Sequence, residues 1–250
     1  MKNRYSICTI ILIILLLFFY LVVNKKSIEK FTNVEPLNVA VFFSGRIKDY
    51  ELEVEHLKKL KIKYNATFFV SLNESSELIY MKNFFTEFQI GSDQKNIEPT
   101  PSPSNLLLLY CPNHPPSNYS NVYSMYYHNN KCYDLINNYQ IKNSFIFDVI
   151  VKYRSDIHSN DTIDFIKPKP NTIYIPEGYD YEGTNDQIGY GDNQSMNLYC
   201  SIVKILSKIC MKNIKFHPES LLNGGLKLLG LKVERFPYPY VLHKNILKSA

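Results

Sequence analysis

At 250 residues with 45% hydrophobic content, the chain has room for one sizeable folded domain after any targeting segment is set aside. Its net charge of +5 is small and scattered through Lys-Lys and Lys-x-Lys pairs, which gives a nucleic acid no basic face to grip and argues against one as partner.

Ser6 to Val23 is an apolar run of 18 residues, long enough as a helix to cross roughly 27 Å. It ends in Asn24-Lys25-Lys26 without the small-residue site of a cleaved leader, so residues 1–23 are expected to be a short tail and an uncleaved transmembrane helix. Lysines flank both sides and the positive-inside rule does not fix orientation. The five-residue tail suits a type II single-pass protein with its domain in the ER or Golgi lumen, or an equivalent host or viral compartment. Residues 24–36 read as a polar tether, and 37–250 as the domain.

Leu37 to Phe43 predicts a buried strand, Glu51 to Lys63 a helix and Ala66 to Leu72 a second strand, a βαβ opening. Gly91 to Pro116, with Pro99-Thr-Pro-Ser-Pro103, reads as a loop or insertion. Tyr119 to Ile141 has helical spacing and feeds a strand over Phe145–Tyr153. Thr172 to Ile175 is a short strand, followed by a glycine-rich loop over Glu177–Asp192. Ser195–Met211 and Pro218–Leu229 read as amphipathic helices, the second stopped by Gly230 before a last strand at Val233–Phe236. Cys111, Cys132, Cys200 and Cys210 permit two bridges. If Cys200 and Cys210 share one helix they lie roughly 15 Å apart, so any bridge to them comes from Cys111 or Cys132. Sequons at Asn65, Asn73, Asn118, Asn160 and Asn193 are compatible with a lumenal domain.

The segment richest in chemistry is Phe147-Asp-Val-Ile-Val-Lys-Tyr-Arg-Ser-Asp-Ile-His158. A doubly buried strand ends in Arg154, Asp156 and His158, groups that are costly to bury unpaired, and strand ends of this kind open on the ligand crevice of an α/β sheet. In an extended segment Asp156 and His158 point the same way and could share a divalent ion, Mn2+ or Mg2+, with His243 reaching back to complete the set. A strand-end turn capped by Asp is the plainer alternative. Ser44-Gly45-Arg46 ends the first strand, where Gly allows close approach of a phosphate or ribose and Arg can pair with a diphosphate; it is equally an ordinary turn. Asp186, in Asn185-Asp186-Gln187, is a candidate general base or sugar-hydroxyl acceptor, or simple turn chemistry. Glu219, after His217-Pro218, is a candidate catalytic carboxylate or a first-turn residue favouring the helix dipole.

Taken in order, Val39-Ala-Val-Phe-Phe-Ser-Gly-Arg46, Phe147 to Asp156, Asn185-Asp-Gln187 with Met196 and Tyr199, and His217-Pro-Glu-Ser-Leu-Leu222 resemble a GT-A-type glycosyltransferase domain of the membrane-anchored, polysaccharide-biosynthesis kind found in bacteria and large DNA viruses. The resemblance implies an α/β fold with a GT-A-like (Rossmann-like) mixed sheet flanked by helices. It also implies transfer of a sugar from a nucleotide-diphosphate donor to a glycan or protein acceptor. Ser44, Gly45, Arg46 and Arg154 would contact the nucleotide, Asp156 the metal, and Asp186 or Glu219 the sugar or acceptor. The chain has Asp-Ile-His where such domains usually carry Asp-x-Asp. Two other readings stand beside it: a membrane-anchored, non-catalytic sugar- or nucleotide-binding surface protein of the same fold, and an anchored metal-dependent phosphoester hydrolase.

Overall fold

The computed structural model describes residue 20 and residues 37–45, 54–73, 78–111 and 116–242. The chain divides between Pro36 and Leu37 into two units. Of the first, only Tyr20 is described, so the anchor expected over Ser6–Val23 lies outside the described residues. Among those residues no helix is long and apolar enough to cross a membrane. Arg46 and His243 also fall outside them.

The second unit is built on β1 (Val39–Gly45), whose alternating side chains are buried on both faces. Val39, Val41 and Phe43 enter one core, Ala40 and Phe42 the other. β1 pairs in parallel with β2 (Thr67–Leu72) on one side and β4 (Val149–Tyr153) on the other. β3 (Lys95–Ile97) extends the sheet beyond β2. On the far side β7 (Ile188–Gly191) runs antiparallel to β4, β6 (Thr172–Pro176) antiparallel to β7, and β8 (Lys232–Phe236) parallel to β6. Among the described residues seven strands thus form one mixed sheet, in the order β3-β2-β1-β4-β7-β6-β8, parallel except at β7. The sheet is mixed and flanked by helices, the α/β class expected.

On the first face, α1 (Val54–Tyr64) and α2 (Leu78–Glu87) cover the sheet, and Phe43 packs edge-on to Phe68, Phe84 and Tyr153. On the second face lie α3 (Asn105–Tyr110) and α4 (Pro116–Asn143), then α5 (Asn193–Cys200), α6 (Leu206–Cys210) and α7 (Pro218–Leu228). Tyr119, Val122, Tyr126, Asn129, Tyr133, Ile136 and Gln140 are all buried, and they recur every three or four residues, which seats α4 along the sheet. The Gln140 side chain then accepts from the Phe147 amide at 2.8 Å and donates to Asn193 Oδ1 at 3.2 Å, fixing the entry to β4.

Three expectations need correction. The 91–116 region is not a plain loop: it carries β3 and α3, the latter capped by Ser104 accepting from the Leu107 amide. The glycine-rich stretch contains β7, where a Cβ at Gly191 would stand 3.0 Å from the Thr172 carbonyl oxygen and 3.3 Å from Ser195 Cβ, so glycine there serves close packing rather than a loop. The helix expected over 195–211 breaks into α5, a 3-10 turn at Ser201–Ile205 and α6, and the turn contains the β-branched run Ile202-Val203 and Ile205. Of the two bridges the sequence permits, one forms among the described residues: Cys111 joins Cys210 (Cα–Cα 5.8 Å), in line with the expectation that a bridge to Cys210 comes from Cys111 or Cys132, while Cys132 and Cys200 are buried thiols.

After β4 the chain turns at 155–156 and forms the two-residue β5 (Ile157–His158), which pairs antiparallel with β9 (Val241–Leu242). This small sheet brings the C-terminal segment back to the end of β4.

Candidate functional site

The sheet face covered by α4 changes character as the strands reach their carboxyl ends. Along β1, Phe42 gives way to Ser44; along β2, Phe69 to Ser71; along β4, Ile150 to Lys152 and then Arg154. Since residues two apart share a face, these polar groups point to the same side as the apolar ones before them. α4 answers with polar groups of its own. Ser44 Oγ donates to Asn129 Oδ1 at 2.6 Å. Ser71 Oγ meets His128 Nδ1 at 2.8 Å, His128 Nε2 meets Thr100 Oγ1 at 3.0 Å, and Thr100 Oγ1 meets Ser124 Oγ at 2.7 Å. Burial pushes the His128 pKa down to about 4, so its imidazole is neutral at neutral pH and can both donate and accept in this chain.

Above these groups is a cavity of about 500 Å3, lined among others by Ser44, Gly45, Lys152, Arg154, Asp156 and Asp186. It lies between the carboxyl ends of β1 and β4, where the sheet order reverses from β1-β2-β3 outward on one side to β4 on the other. That is the switch point at which doubly wound sheets hold ligands. Gly45 has φ +87, and a Cβ there would meet nothing within 4 Å, so the backbone conformation, rather than space, is what favours glycine.

Lys152 is buried within β4, and its Nζ donates to the Asp186 carbonyl oxygen. Burial pushes its pKa down, with the charge of Asp186 opposing that shift and Arg154 adding to it. Arg154 grips Asp156 with two prongs, Nε to Oδ1 at 2.5 Å and Nη2 to Oδ2 at 3.0 Å. Glu219, in the first turn of α7, is buried; burial first, and the charge of Asp186 second, raise its pKa above the usual carboxylate value. His217 Nδ1 lies 2.8 Å from Glu219 Oε2, an ion-pair distance without hydrogen-bond geometry. The acidic groups therefore each have a basic neighbour: Lys152 beside Asp186, Arg154 on Asp156, His217 by Glu219.

Five of the predicted residues, Ser44, Gly45, Arg154, Asp156 and Asp186, line this one cavity. Glu219 stands behind it, within electrostatic reach of Asp186, Arg154 and Lys152. In the Asn185-Asp186-Gln187 segment the turn chemistry belongs to Asn185, while Asp186 lines the cavity. Asn185 is the turn residue, accepting from the Gln187 amide at 2.9 Å and donating to Gly178 O at 2.9 Å and Tyr240 Oη at 2.7 Å, and it delivers Asp186 to the cavity.

His158 does not join them. The turn at 155–156 breaks the extended geometry on which a shared face depends, and His158 sits in the β5–β9 ladder. A divalent ion does not fit the described donors. Both Asp156 oxygens are taken by Arg154, His158 lies off the cavity lining, and no group of three His, Cys, Asp or Glu side chains suited to a metal occurs among the described residues. His243 lies outside the described residues.

Sequence reasoning passed over Lys152, Asn129 and His217. Lys152 carries a legible signal: a lysine inside Val149-Ile-Val-Lys-Tyr153 must be buried in a two-faced strand, which demands a partner. Gly183 also escaped notice. A Cβ there would stand 2.1 Å from the Glu219 carbonyl carbon and 2.5 Å from the Ser220 amide nitrogen. Gly183→Ala must therefore push the first turn of α7 away. It should destabilise the fold by at least about 1–3 kcal/mol, the usual cost of overpacking, as read by a denaturant midpoint, and displace Glu219 as well.

No curated protein matches the chain. Residues 93–245, which carry Arg154, Asp156, Asp186 and Glu219 but not Ser44 and Gly45, match the model of a domain family of unknown function (DUF7796), and the chain belongs to that family.

Proposed function

We propose that the cavity binds a nucleotide-diphosphate sugar and that the domain is a glycosyltransferase of GT-A-like architecture. The observation that carries this reading is the meeting, in one cavity at the switch point of a mixed α/β sheet, of two basic groups (Lys152 and Arg154) with the buried Asp186, and the buried Glu219 within electrostatic reach of them. Ser44 and Gly45 offer a polar strand end for the nucleotide. Arg154 is half-exposed and turns from Asp156 to the diphosphate as the donor enters; its fork suits phosphate oxygens. Asp186 accepts from the donor sugar's hydroxyls. Glu219, made more basic by burial and by Asp186, takes the proton of the acceptor hydroxyl. The bond from the anomeric carbon to the diphosphate breaks, a bond to the acceptor oxygen forms, and the diphosphate leaves with its charge offset by Arg154 and Lys152. No step needs a divalent ion, in keeping with the described donor set. The Cys111–Cys210 bridge supports an oxidising compartment, which suits a type II protein held by the Ser6–Val23 segment.

Calorimetry with inorganic pyrophosphate and the common nucleoside diphosphates tests the donor half of this reading. A nucleoside diphosphate should bind equally in EDTA and in Mn2+, and Arg154→Gln should weaken it by about 1.5–3 kcal/mol. Unchanged affinity in a folded Arg154→Gln protein removes Arg154 from the site, and strong Mn2+ dependence restores the metal.

A further inference from the structure

A second cavity, of about 540 Å3, opens beside the first; Asn121 lines both, and Tyr181, Lys215, Phe216 and His217 line the second. The two spaces therefore share a wall, and His217 connects the second one to Glu219. We infer that this second cavity holds the acceptor, and that the acceptor is a carbohydrate whose ring lies on Tyr181, an inference that rests on the transferase reading above.

Most large aromatic side chains of this fold are buried, among them Tyr126, Tyr153, Tyr190 and Tyr199, yet Tyr181 is 56% exposed at the cavity. Its exposure is imposed by the backbone: φ is +82 at Gly178, +56 at Tyr179, +39 at Tyr181 and +68 at Glu182. For residues with side chains such conformations cost of order 1–3 kcal/mol each and persist only where neighbours over-determine them.

Here they are over-determined. Asp180 Oδ1 accepts from the Asn185 amide at 3.0 Å and from Arg235 Nη2 at 2.8 Å, and the Gly183 amide donates to Asp180 O at 2.7 Å. The Tyr179 hydroxyl donates to Tyr240 O at 3.0 Å, with the two rings stacked at 4.8 Å. The loop thus fixes an exposed aromatic plane at a cavity whose other walls combine an amide (Asn121), an ammonium paired with a carboxylate (Lys215 with Glu182, 2.7 Å) and an imidazole with the apolar Val122, Phe216 and Pro218.

A flat apolar plane ringed by mixed donors and acceptors matches a sugar, which has one face of C–H groups and a rim of hydroxyls. A peptide would need main-chain partners, and no strand edge lines this space among the described residues. A hydroxyl of a sugar resting on Tyr181 would face His217, whose Nδ1 lies 2.8 Å from Glu219 Oε2, while Asn121 forms the wall shared with the donor cavity.

The chain contains no Trp, so Tyr181→Trp in the full chain keeps an aromatic plane and supplies a single fluorescent reporter. It would be titrated with methyl glycosides of glucose, galactose, mannose and N-acetylglucosamine, and with an N-acetylated Ser-Thr peptide amide. At least one glycoside should shift the emission saturably, Lys215→Ala in the same background should weaken that response about tenfold, and the peptide should give none. A thermal melt matching the parent protein shows that the variant is folded. No saturable response to any glycoside, or a saturable response to the peptide, overturns the inference. Pyrophosphate binding, measured alongside, separates the two readings. Intact pyrophosphate binding without a sugar response sinks only the acceptor cavity, whereas a sugar response without pyrophosphate binding sinks the donor reading and leaves the sugar site standing.

Discussion

Glu219→Gln should cut sugar transfer by about a hundredfold to ten-thousandfold, the usual worth of a positioned general base, while leaving the protein at least as stable as before. The two effects have one cause. Glu219 is buried at the start of α7 and stands near Asp186, and burial followed by that like charge raises its pKa. The fold therefore prefers the neutral acid. Stability from this group is fully present below the ordinary carboxylate pKa and is lost as pH rises through the raised folded value. Catalysis needs the opposite form, so activity should climb over that same interval. Glutamine keeps the shape without the charge, so the variant should lose both the activity and this component of the pH dependence of stability. Initial rates and urea midpoints across the acidic range check both halves. A less stable Gln variant with normal turnover would show Glu219 to be a structural ion-pair partner of His217 and nothing more.

The largest expected effect on stability comes from the Cys111–Cys210 bridge. It closes a sequence separation of 99 residues, tying the end of α3 to the end of α6. A loop of that length corresponds to about 4.7 kcal/mol in the chain-entropy account, and removal of native bridges typically costs about 2–5 kcal/mol. The double variant Cys111→Ser, Cys210→Ser should fall within that range by denaturant titration. Cys132 and Cys200 offer no substitute: both are buried, and burial pushes their thiols well above the ordinary cysteine pKa. Alkylation of the native protein should accordingly leave Cys132 and Cys200 untouched until it unfolds. A double variant of unchanged stability would show that the bridge constrains little in the unfolded chain.

The architecture was legible wherever the apolar pattern was clean. The near-continuous apolar runs of Val39–Gly45 and Thr67–Leu72 and the 3.6-residue spacing of α4 and α7 place those elements to within a few residues. It was not legible where tertiary packing overrode local signals. Gly189 and Gly191 suggest a loop, but they form a strand because the β6 backbone and Ser195 approach Gly191 too closely for a side chain. The candidate site was half legible. Individual residues such as Ser44, Asp156, Asp186 and Glu219 stand out by type and position, whereas their convergence depends on a sheet order that joins segments more than a hundred residues apart. The rule that residues two apart share a face failed for Asp156 and His158 because a single turn intervenes. Lys152 was in plain view, an ammonium inside a fully buried strand, and its significance became clear only beside Asp186.

The most direct test of the transferase account is release of nucleoside diphosphate from a panel of nucleotide-diphosphate sugars incubated with the full chain in EDTA. The methyl glycosides would serve as acceptors, and Glu219→Gln as the comparison. The account predicts that one donor sugar is consumed, with stoichiometric nucleoside diphosphate release that depends on the acceptor and is largely lost in Glu219→Gln. A folded protein that binds a donor but releases no diphosphate under any acceptor condition would contradict it and identify a non-catalytic nucleotide-sugar-binding domain.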